Sequence, residues 1–378
     1  MRIFKLCSGI SFSGLLMLGI LGCSGCGSDD NGGGQSAGVF TVQGTYLTDP
    51  RGDTVVLKGV NKMSVFDEHD VYGKSYFPEI AKTGSNSVRI VWQSTYSNGK
   101  PSRITHLDSV IANCIAARMI PMVEVHDATC NWAALNGVVN YWLRADMLAL
   151  VKKYEHAMLV NIANEAGGDD VTPTMFVAGY KDAIARLRSA GVRTTLVIDA
   201  PACGKNLEVV VASAAALVAH DPQHNVLFSV HPYWSKADIA AHGTPSFIHD
   251  QLQAAADAKV PLILGELCGF GGWPANNEAT ATCGPGGAVD YQTLVVEASK
   301  HNMGWYVWEW GPGNGFYDYN PPVLCPSMDM TTDGTYQSIQ AIKQNDAVRG
   351  WIRDVVLDNP LSISKTSVKT SYVNDGFR

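Results

Sequence analysis

Eight short apolar runs, separated by longer amphipathic stretches, set the strongest limit on the folds open to this chain. They are VVLKGVN (55–61), SVRIVW (87–92), PMVEVHD (121–127), LVNIANE (159–165), TTLVIDA (194–200), VLFSVHPY (226–233), PLILGELC (261–268) and GWYVWEW (304–310). Runs that are apolar at nearly every position belong to strands covered on both faces, as in a parallel sheet clothed in helices. The stretches between them have helical spacing. In TPTMFVAGYKDAIARLRSAG, Thr172 can cap, Pro173 suits the first helical position, Phe176, Tyr180, Ile184 and Leu187 share a face, and Gly191 ends the helix. YFPEIAKTG and HLDSVIANCIAARM repeat the pattern. Eight such units predict an α/β fold of the (β/α)8 barrel type, a TIM barrel. An open doubly wound sheet also alternates strand and helix, but no GxGxxG turn follows the first strand. The segment FTVQGTYLTDPRGDTV (40–55) predicts a short β-hairpin that plugs the N-terminal end of the barrel.

The chain has 378 residues, and residues 38–378 are read as one barrel domain. Its formal net charge of −7, with no Lys/Arg-rich run, excludes a nucleic-acid partner and favours a neutral or weakly polar ligand. Residues 1–22 carry Arg2 and Lys5, an apolar run too short to span a bilayer, and small residues before Cys23, which is the pattern of an export signal. Ile20-Leu21-Gly22-Cys23 resembles a bacterial lipobox, which implies lipidation of Cys23, with Cys26 as an alternative and a simple secretory signal as the plainer reading. Residues 23–37, rich in Gly, Ser and Asp, read as a flexible tether. The expectation is an exported lipoprotein on a bacterial cell surface or outer membrane, touching the membrane through its anchor alone.

Beyond the tether stand Cys114, Cys130, Cys203, Cys268, Cys283 and Cys325. An even number in an exported protein suggests disulfides, while spacing leaves the pairing open. Cys114, inside a helical pattern, reads as a buried free thiol. Cys130 and Cys203 follow the third and fifth strands, and Cys268 and Cys283 share a loop, so bridges there would stiffen a cleft; Cys283 with Cys325 is equally permitted. No CxxC or paired His/Cys spacing points to zinc, and no metal or cofactor is expected.

In a barrel the C-terminal strand ends converge on one face. The polar and aromatic residues placed there are Asn61, Arg89, His126, Asn164, Glu165, His231, Tyr233, Glu266 and Trp308. A carboxylate ending an apolar strand is costly to bury without a partner or a task. Two of them, Glu165 and Glu266, would face each other across the mouth, an arrangement suited to glycoside hydrolysis. Each residue also has a plain structural reading. Arg89 could form a buried ion pair, His126 and His231 could be satisfied polar residues, Trp308 could be core beside Trp305 and Trp310, and Glu124 reads as a barrel-interior network residue. Their joint placement, spread over the strand ends, favours the functional reading. Trp92, Trp132, Trp234 and Trp273 are expected in loops on the same face, where rings stack on sugars or pack the loop; Trp234, next to Tyr233, is the favoured platform.

The motifs VRIVW, VEVHDAT, NIANEAGG, FSVHPYW, LILGELC and WYVWEWGPGNG, in that order, resemble glycoside hydrolase family 5, a retaining barrel family that includes cellulases and β-mannanases. The resemblance covers about residues 40 to 345. It implies that Glu165 is the acid/base and Glu266 the nucleophile, that Arg89 and Tyr233 hydrogen-bond the nucleophile, and that Asn164 contacts the sugar 2-hydroxyl. It also implies that His126 and His231 line the non-reducing-side subsite, with Trp308 as its stacking floor. Many members carry Pro after the Asn-Glu pair; here Ala166 stands there. VEVHDAT and GYKDAIARLRSAGVRTTLVIDA look most like the bacterial mannan endo-1,4-β-mannosidase branch. That branch implies endo-hydrolysis of β-1,4-mannosidic bonds in mannan, galactomannan or glucomannan by double displacement. An endo-β-1,4-glucanase or a transglycosylase is the alternative, and a monomer is expected.

Overall fold

The computed structural model describes residues 38–271, 287–312 and 328–378. The expected export signal and tether, with Cys23 and Cys26, and also Trp273, Cys283 and Cys325, lie outside the described residues. Strands β1 (Thr41–Gln43), β2 (Tyr46–Thr48) and β3 (Thr54–Val55) form a small antiparallel sheet. Eight parallel strands then close a barrel: β4 (Lys58–Lys62), β5 (Ser87–Trp92), β6 (Ile120–Val125), β7 (Leu159–Asn161), β8 (Leu196–Asp199), β9 (Val226–Val230), β10 (Leu262–Leu267) and β11 (Gly304–Val307). Each expected run holds one strand. The first run divides, because Val55 pairs with Leu47 in the small sheet and the barrel strand begins only at Lys58. The predicted hairpin is thus a three-stranded sheet.

Helices α1 (Tyr76–Ala81), α2 (Ile104–Ala116), α3 (Leu135–Trp142), α4 (Ala145–Tyr154), α5 (Pro173–Ser189), α6 (Leu207–His220), α7 (Lys236–His242), α8 (Phe247–Asp257) and α9 (Tyr291–Lys300) fill the connections. In α5 the Thr172 hydroxyl accepts the Met175 N–H at 3.3 Å, and Phe176, Tyr180, Ile184 and Leu187 are buried against the barrel wall. Among the described residues no helix is long and apolar enough to cross a membrane.

Because side chains alternate along a strand, residues two apart share a side of the barrel wall. Val88, Ile90, Val123 and Val160 join the apolar cluster that contains the helices. The other set points inward and divides by height. Near the N-terminal ends, Ile120, Met122, Leu159, Val197, Leu227, Ile263 and Tyr306 form an apolar floor. Phe40, Leu47 and Val55 from the small sheet close that floor, as expected of a plug, together with Tyr372, Val373 and Phe377 from the C-terminal tail. Above it the inward positions are Asn61, Arg89, Glu124, Asn161, Asp199 and Ser229, all fully buried. They sit in neighbouring register, Asn61 beside Arg89, Glu124 beside Asn161, and Asp199 beside Ser229.

Trp92 is the last residue of β5 rather than part of a loop; it is 1% exposed and its indole N–H reaches the Tyr141 hydroxyl at 3.0 Å. It packs the wall and presents no face to a ligand. The plug predicts a stability phenotype separate from activity. Phe40→Ala removes a fully buried ring that meets Tyr372 edge-on, and should lower unfolding free energy by about 3–5 kcal/mol in urea titration while leaving kcat within about twofold.

Candidate active site

The guanidinium of Arg89 rises from β5 into the centre of the polar layer. Its five N–H donors meet five acceptors. Nε donates to Asn161 Oδ1 at 2.9 Å, Nη1 to Glu266 Oε1 at 2.7 Å and Asn61 Oδ1 at 3.1 Å, and Nη2 to Asn164 Oδ1 at 2.7 Å and Asp199 Oδ2 at 3.1 Å. The ion-pair reading and the site reading therefore describe one arrangement: Arg89 pairs with Glu266 while fixing Asn164. Glu266 accepts a second bond, from the Tyr233 hydroxyl to Oε2 at 2.7 Å. One carboxylate is thus held at both oxygens.

Glu165 stands just beyond β7 with a φ of 45°, in the left-handed region that a non-glycine residue enters only when held there. Its N–H reaches Asp199 Oδ2 at 3.3 Å, and its C=O accepts the Cys130 N–H at 3.0 Å. Cys130 is bridged to Cys203, whose own N–H bonds the Gly167 carbonyl, so the loops after β6, β7 and β8 are tied around this turn. The Glu165 carboxyl meets His231 Nδ1 at 2.8 Å. Gly204 makes room for this contact: a Cβ there would lie 2.7 Å from Glu165 Oε1 and 2.8 Å from the His231 Cβ, on a backbone with φ of 80°. Any side chain at that position would push the two apart.

One carboxylate oxygen from each of Glu165 and Glu266 and a ring nitrogen of His231 lie within 4.8 Å of one another. That is the close spacing of retaining glycosidases, well short of the ~6.5–9.5 Å that leaves room for a water in inverting ones. Among the described residues this trio is the one cluster with spacing for a cation, but Glu266 already has a positive partner in Arg89 at 2.7 Å. The trio therefore has the character of a carboxyl pair rather than a metal cage.

The two carboxyls differ in environment. Burial, followed by the charges of Glu266 and Asp199, pushes Glu165 well above the usual carboxyl range. Burial raises Glu266 as well, but Arg89, His126 and the Tyr233 hydroxyl pull against that rise. The shared proton consequently rests on Glu165. His231 is driven well down by burial and by Arg89, so its ring is neutral. His126 is opposed by burial but lifted overall by Glu124, whose Oε1 lies 2.8 Å from Nδ1. The interior-network reading of Glu124 holds: it is fully buried between His126 and, at 3.9 Å, Arg89.

His126 lies parallel to Trp308, with ring centroids 6.3 Å apart and planes 18° apart. Asn164 donates to the Thr129 hydroxyl at 2.8 Å. The structure thus brings together Arg89, His126, Asn164, Glu165, His231, Tyr233, Glu266 and Trp308. Trp234 lies to one side: its indole N–H bonds the Lys205 carbonyl, its ring meets Phe247 edge-on, and it lines a hollow of about 220 Å³ with Lys205, Glu208 and Gln251. Trp132 packs against Phe176 and Tyr180.

The family model for cellulase, glycosyl hydrolase family 5, matches residues 48–314. The chain belongs to glycosyl hydrolase family 5. Among curated relatives, mannan endo-1,4-beta-mannosidase of Cellvibrio japonicus (strain Ueda107) is 28% identical over 317 residues, 82% of this chain and 64% of that protein. The chain thus spans less than two thirds of that relative's length. The enzyme of the same name from Salipaludibacillus agaradhaerens is 29% identical over 282 residues, 74% of this chain and 84% of that protein. The crystal structure of beta-mannanase from Streptomyces thermolilacinus with mannohexaose superposes with a TM-score of 0.70 at 27% identity, covering 89% of this chain and 98% of that one.

Sequence reasoning overlooked Asp199 and Asn161 in this family 5 site. The signal for Asp199 was available, since LVIDA ends a strand in a carboxylate just as NIANE does. The cysteines settle in part. Cys130 and Cys203 are joined, Cys114 is a buried free thiol as expected, and Cys268 is free and buried, while the readings for Cys283 and Cys325 lie outside the described residues. Burial lifts the Cys268 thiol to about 12.

The raised Glu165 carboxyl predicts a pH-dependent stability difference. A group whose folded pKa exceeds its unfolded value favours the folded state at low pH and loses that contribution as pH rises through the folded pKa. Glu165→Gln removes the loss, so its Tm should gain on wild type between pH 5 and pH 9, by at least about 2 °C at the upper end in differential scanning calorimetry.

Proposed function

We propose that the chain is an endo-acting hydrolase of β-1,4-mannosidic bonds in mannan, galactomannan or glucomannan, working by double displacement. The observation that carries this reading is the asymmetric carboxyl pair, Glu266 clamped by Arg89 and Tyr233 while the proton rests on Glu165. The relatives named for mannan hydrolysis, and the solved neighbour holding mannohexaose, support the choice of polymer.

In the first step Glu266 attacks the anomeric carbon and forms an ester. The glycosidic C–O bond breaks with its electron pair on oxygen, which takes the proton of Glu165. With Glu266 esterified its negative charge is gone, the pressure on Glu165 to hold a proton falls, and the carboxylate becomes a base. Water then attacks the same carbon and gives a proton to Glu165, and the ester bond breaks to restore the Glu266 carboxylate. Two inversions give net retention. In this reading Asn164 meets the sugar 2-hydroxyl, His126 and His231 line the glycone subsite, Trp308 is its floor, and Trp234 belongs to the aromatic walls beyond it. No cofactor enters these steps.

The same proposal makes the enzyme a lipid-anchored monomer on the bacterial surface or outer membrane, a reading supported by the signal-like residues 1–22 and by Cys23. Its polymer substrate cannot cross a membrane, so an exported enzyme meets it where it is found.

The test uses the full chain on linear mannan, galactomannan and carboxymethylcellulose in parallel. Wild type should release manno-oligosaccharides. Glu266→Ala should fall to the blank, and Glu165→Ala should lose about 10²–10⁴-fold in kcat. Preferential cleavage of carboxymethylcellulose would replace the substrate, and products longer than the starting oligosaccharide would identify a transglycosylase. Cys23→Ser should move the protein from the membrane fraction to the soluble fraction, as read by immunoblot, without changing kcat.

A further inference from the structure

Asp199, at the end of β8, takes no part in the bond changes above, yet it touches the groups on which they depend. Its Oδ2 lies 3.1 Å from Arg89 Nη2, accepts the Glu165 main-chain N–H at 3.3 Å, and stands 3.5 Å from His231 Nε2; its Oδ1 accepts Asn161 Nδ2 at 3.0 Å. The side chain is fully buried. We infer that Asp199 is a positioning residue for Glu165, holding its turn by the main-chain amide and, as the surplus negative charge of the site, keeping the proton on Glu165 until the glycosyl-enzyme forms. This rests on Glu165 being the acid/base.

The positional half follows from the backbone. Strand β7 ends at Asn161, so Glu165 is beyond the sheet ladder, in a left-handed conformation that its neighbours must impose. The carbonyl of Glu165 is held by Cys130 and the amide by Asp199. Without the Asp199 acceptor, that buried N–H would lose its partner and the turn one of its two main-chain anchors.

The electrostatic half follows from counting the charges that face Glu165. Arg89 comes from β5, Glu124 and His126 from β6 and its end, Asp199 from β8, His231 and Tyr233 from beyond β9, and Glu266 from β10. The cations are Arg89 and the lifted His126, while His231 is neutral. Against these two stand the carboxyls of Glu124, Asp199 and Glu266. Three carboxyls against two cations already leave one surplus negative charge, and a charge on Glu165 would add a second, so the proton stays there. Burial raises the Asp199 carboxyl and Arg89 opposes that rise. The charge of Asp199 also favours the His231 tautomer with its proton on Nε2, which leaves Nδ1 to accept from the protonated Glu165 carboxyl.

Asp199→Asn keeps the shape and removes the charge. The probes are mannan, whose leaving oxygen needs a proton, and a 2,4-dinitrophenyl β-mannoside, whose leaving group departs without one. In the full chain, kcat/KM for mannan at neutral pH should fall at least about tenfold and that for the dinitrophenyl substrate less than about threefold, and the basic limb of the mannan pH profile should move down by about one unit. An unmoved limb, or equal losses on the two substrates, would overturn the inference and leave Asp199 a structural residue. Should Asp199→Asn not fold by circular dichroism, Asp199→Ser, which leaves space for a water against Arg89, carries the same readouts. Glu165→Ala run alongside separates the two levels: if it loses both substrates equally, the acid/base assignment itself fails, whatever Asp199 does.

Discussion

Arg89 enters the barrel with one permanent positive charge and five donors, and the upper half of the interior is organised around supplying them. Its partners come from β4, β7, β8, β10 and the turn after β7: Asn61, Asn161, Asp199, Glu266 and Asn164. A buried guanidinium lacking even one of these would leave a donor or a charge unpaired, which costs several kcal/mol in a low-dielectric interior. The same requirement that satisfies the cation therefore sets the heights at which five segments present their polar groups. Four strands and the turn after one of them agree on one centre because one side chain needs them all.

That centre is deliberately unequal around the two carboxyls. Glu266 receives the direct bond from Arg89 and a second from Tyr233, whereas Glu165 receives a neutral imidazole and the remote charges of its own kind. Environment, not residue type, separates an ionised group from a protonated one at the same pH. In the proposed reaction the separation would reverse by itself once the charge of Glu266 is spent on an ester, because the dominant charged neighbour of Glu165 is Glu266. No conformational change is required between the two steps.

Much of this was legible in the sequence, for definite reasons. Strands buried on both faces must be apolar throughout, so all eight announced themselves, and polar or aromatic residues at the ends of seven of them marked the open face. Strand limits were less legible. Val55 looks continuous with Leu57 but pairs backwards with Leu47, and nothing in apolarity distinguishes an antiparallel plug strand from the start of a barrel strand. Trp92 reads as a loop aromatic because it is the last residue of its apolar run, while its ring in fact closes the wall against Tyr141. Asp199 followed the rule that singled out Glu165 but carries no second polar neighbour like Asn164 to draw attention to it. The tail was opaque for a different reason: Tyr372, Val373 and Phe377 sit among Ser, Thr, Lys and Asn without a helical or strand period, and only the open floor of the barrel gives them a partner.

The division of the interior into an apolar floor and a polar ceiling explains why that floor needs two separate caps. A polar layer with a charged centre contributes specificity of geometry more than stability, since the desolvation of its ions offsets much of their attraction. The apolar half must then supply the cohesion of the barrel, and it can do so only if water is kept from both of its ends. The polar layer seals it above through the hydrogen-bond network centred on Arg89. Phe40 with its small sheet, and Phe377 with Tyr372 from the far end of the chain, seal it below. The first and last described segments of the chain thus meet at the end of the barrel opposite the site, where they stabilise the fold without reaching the chemistry.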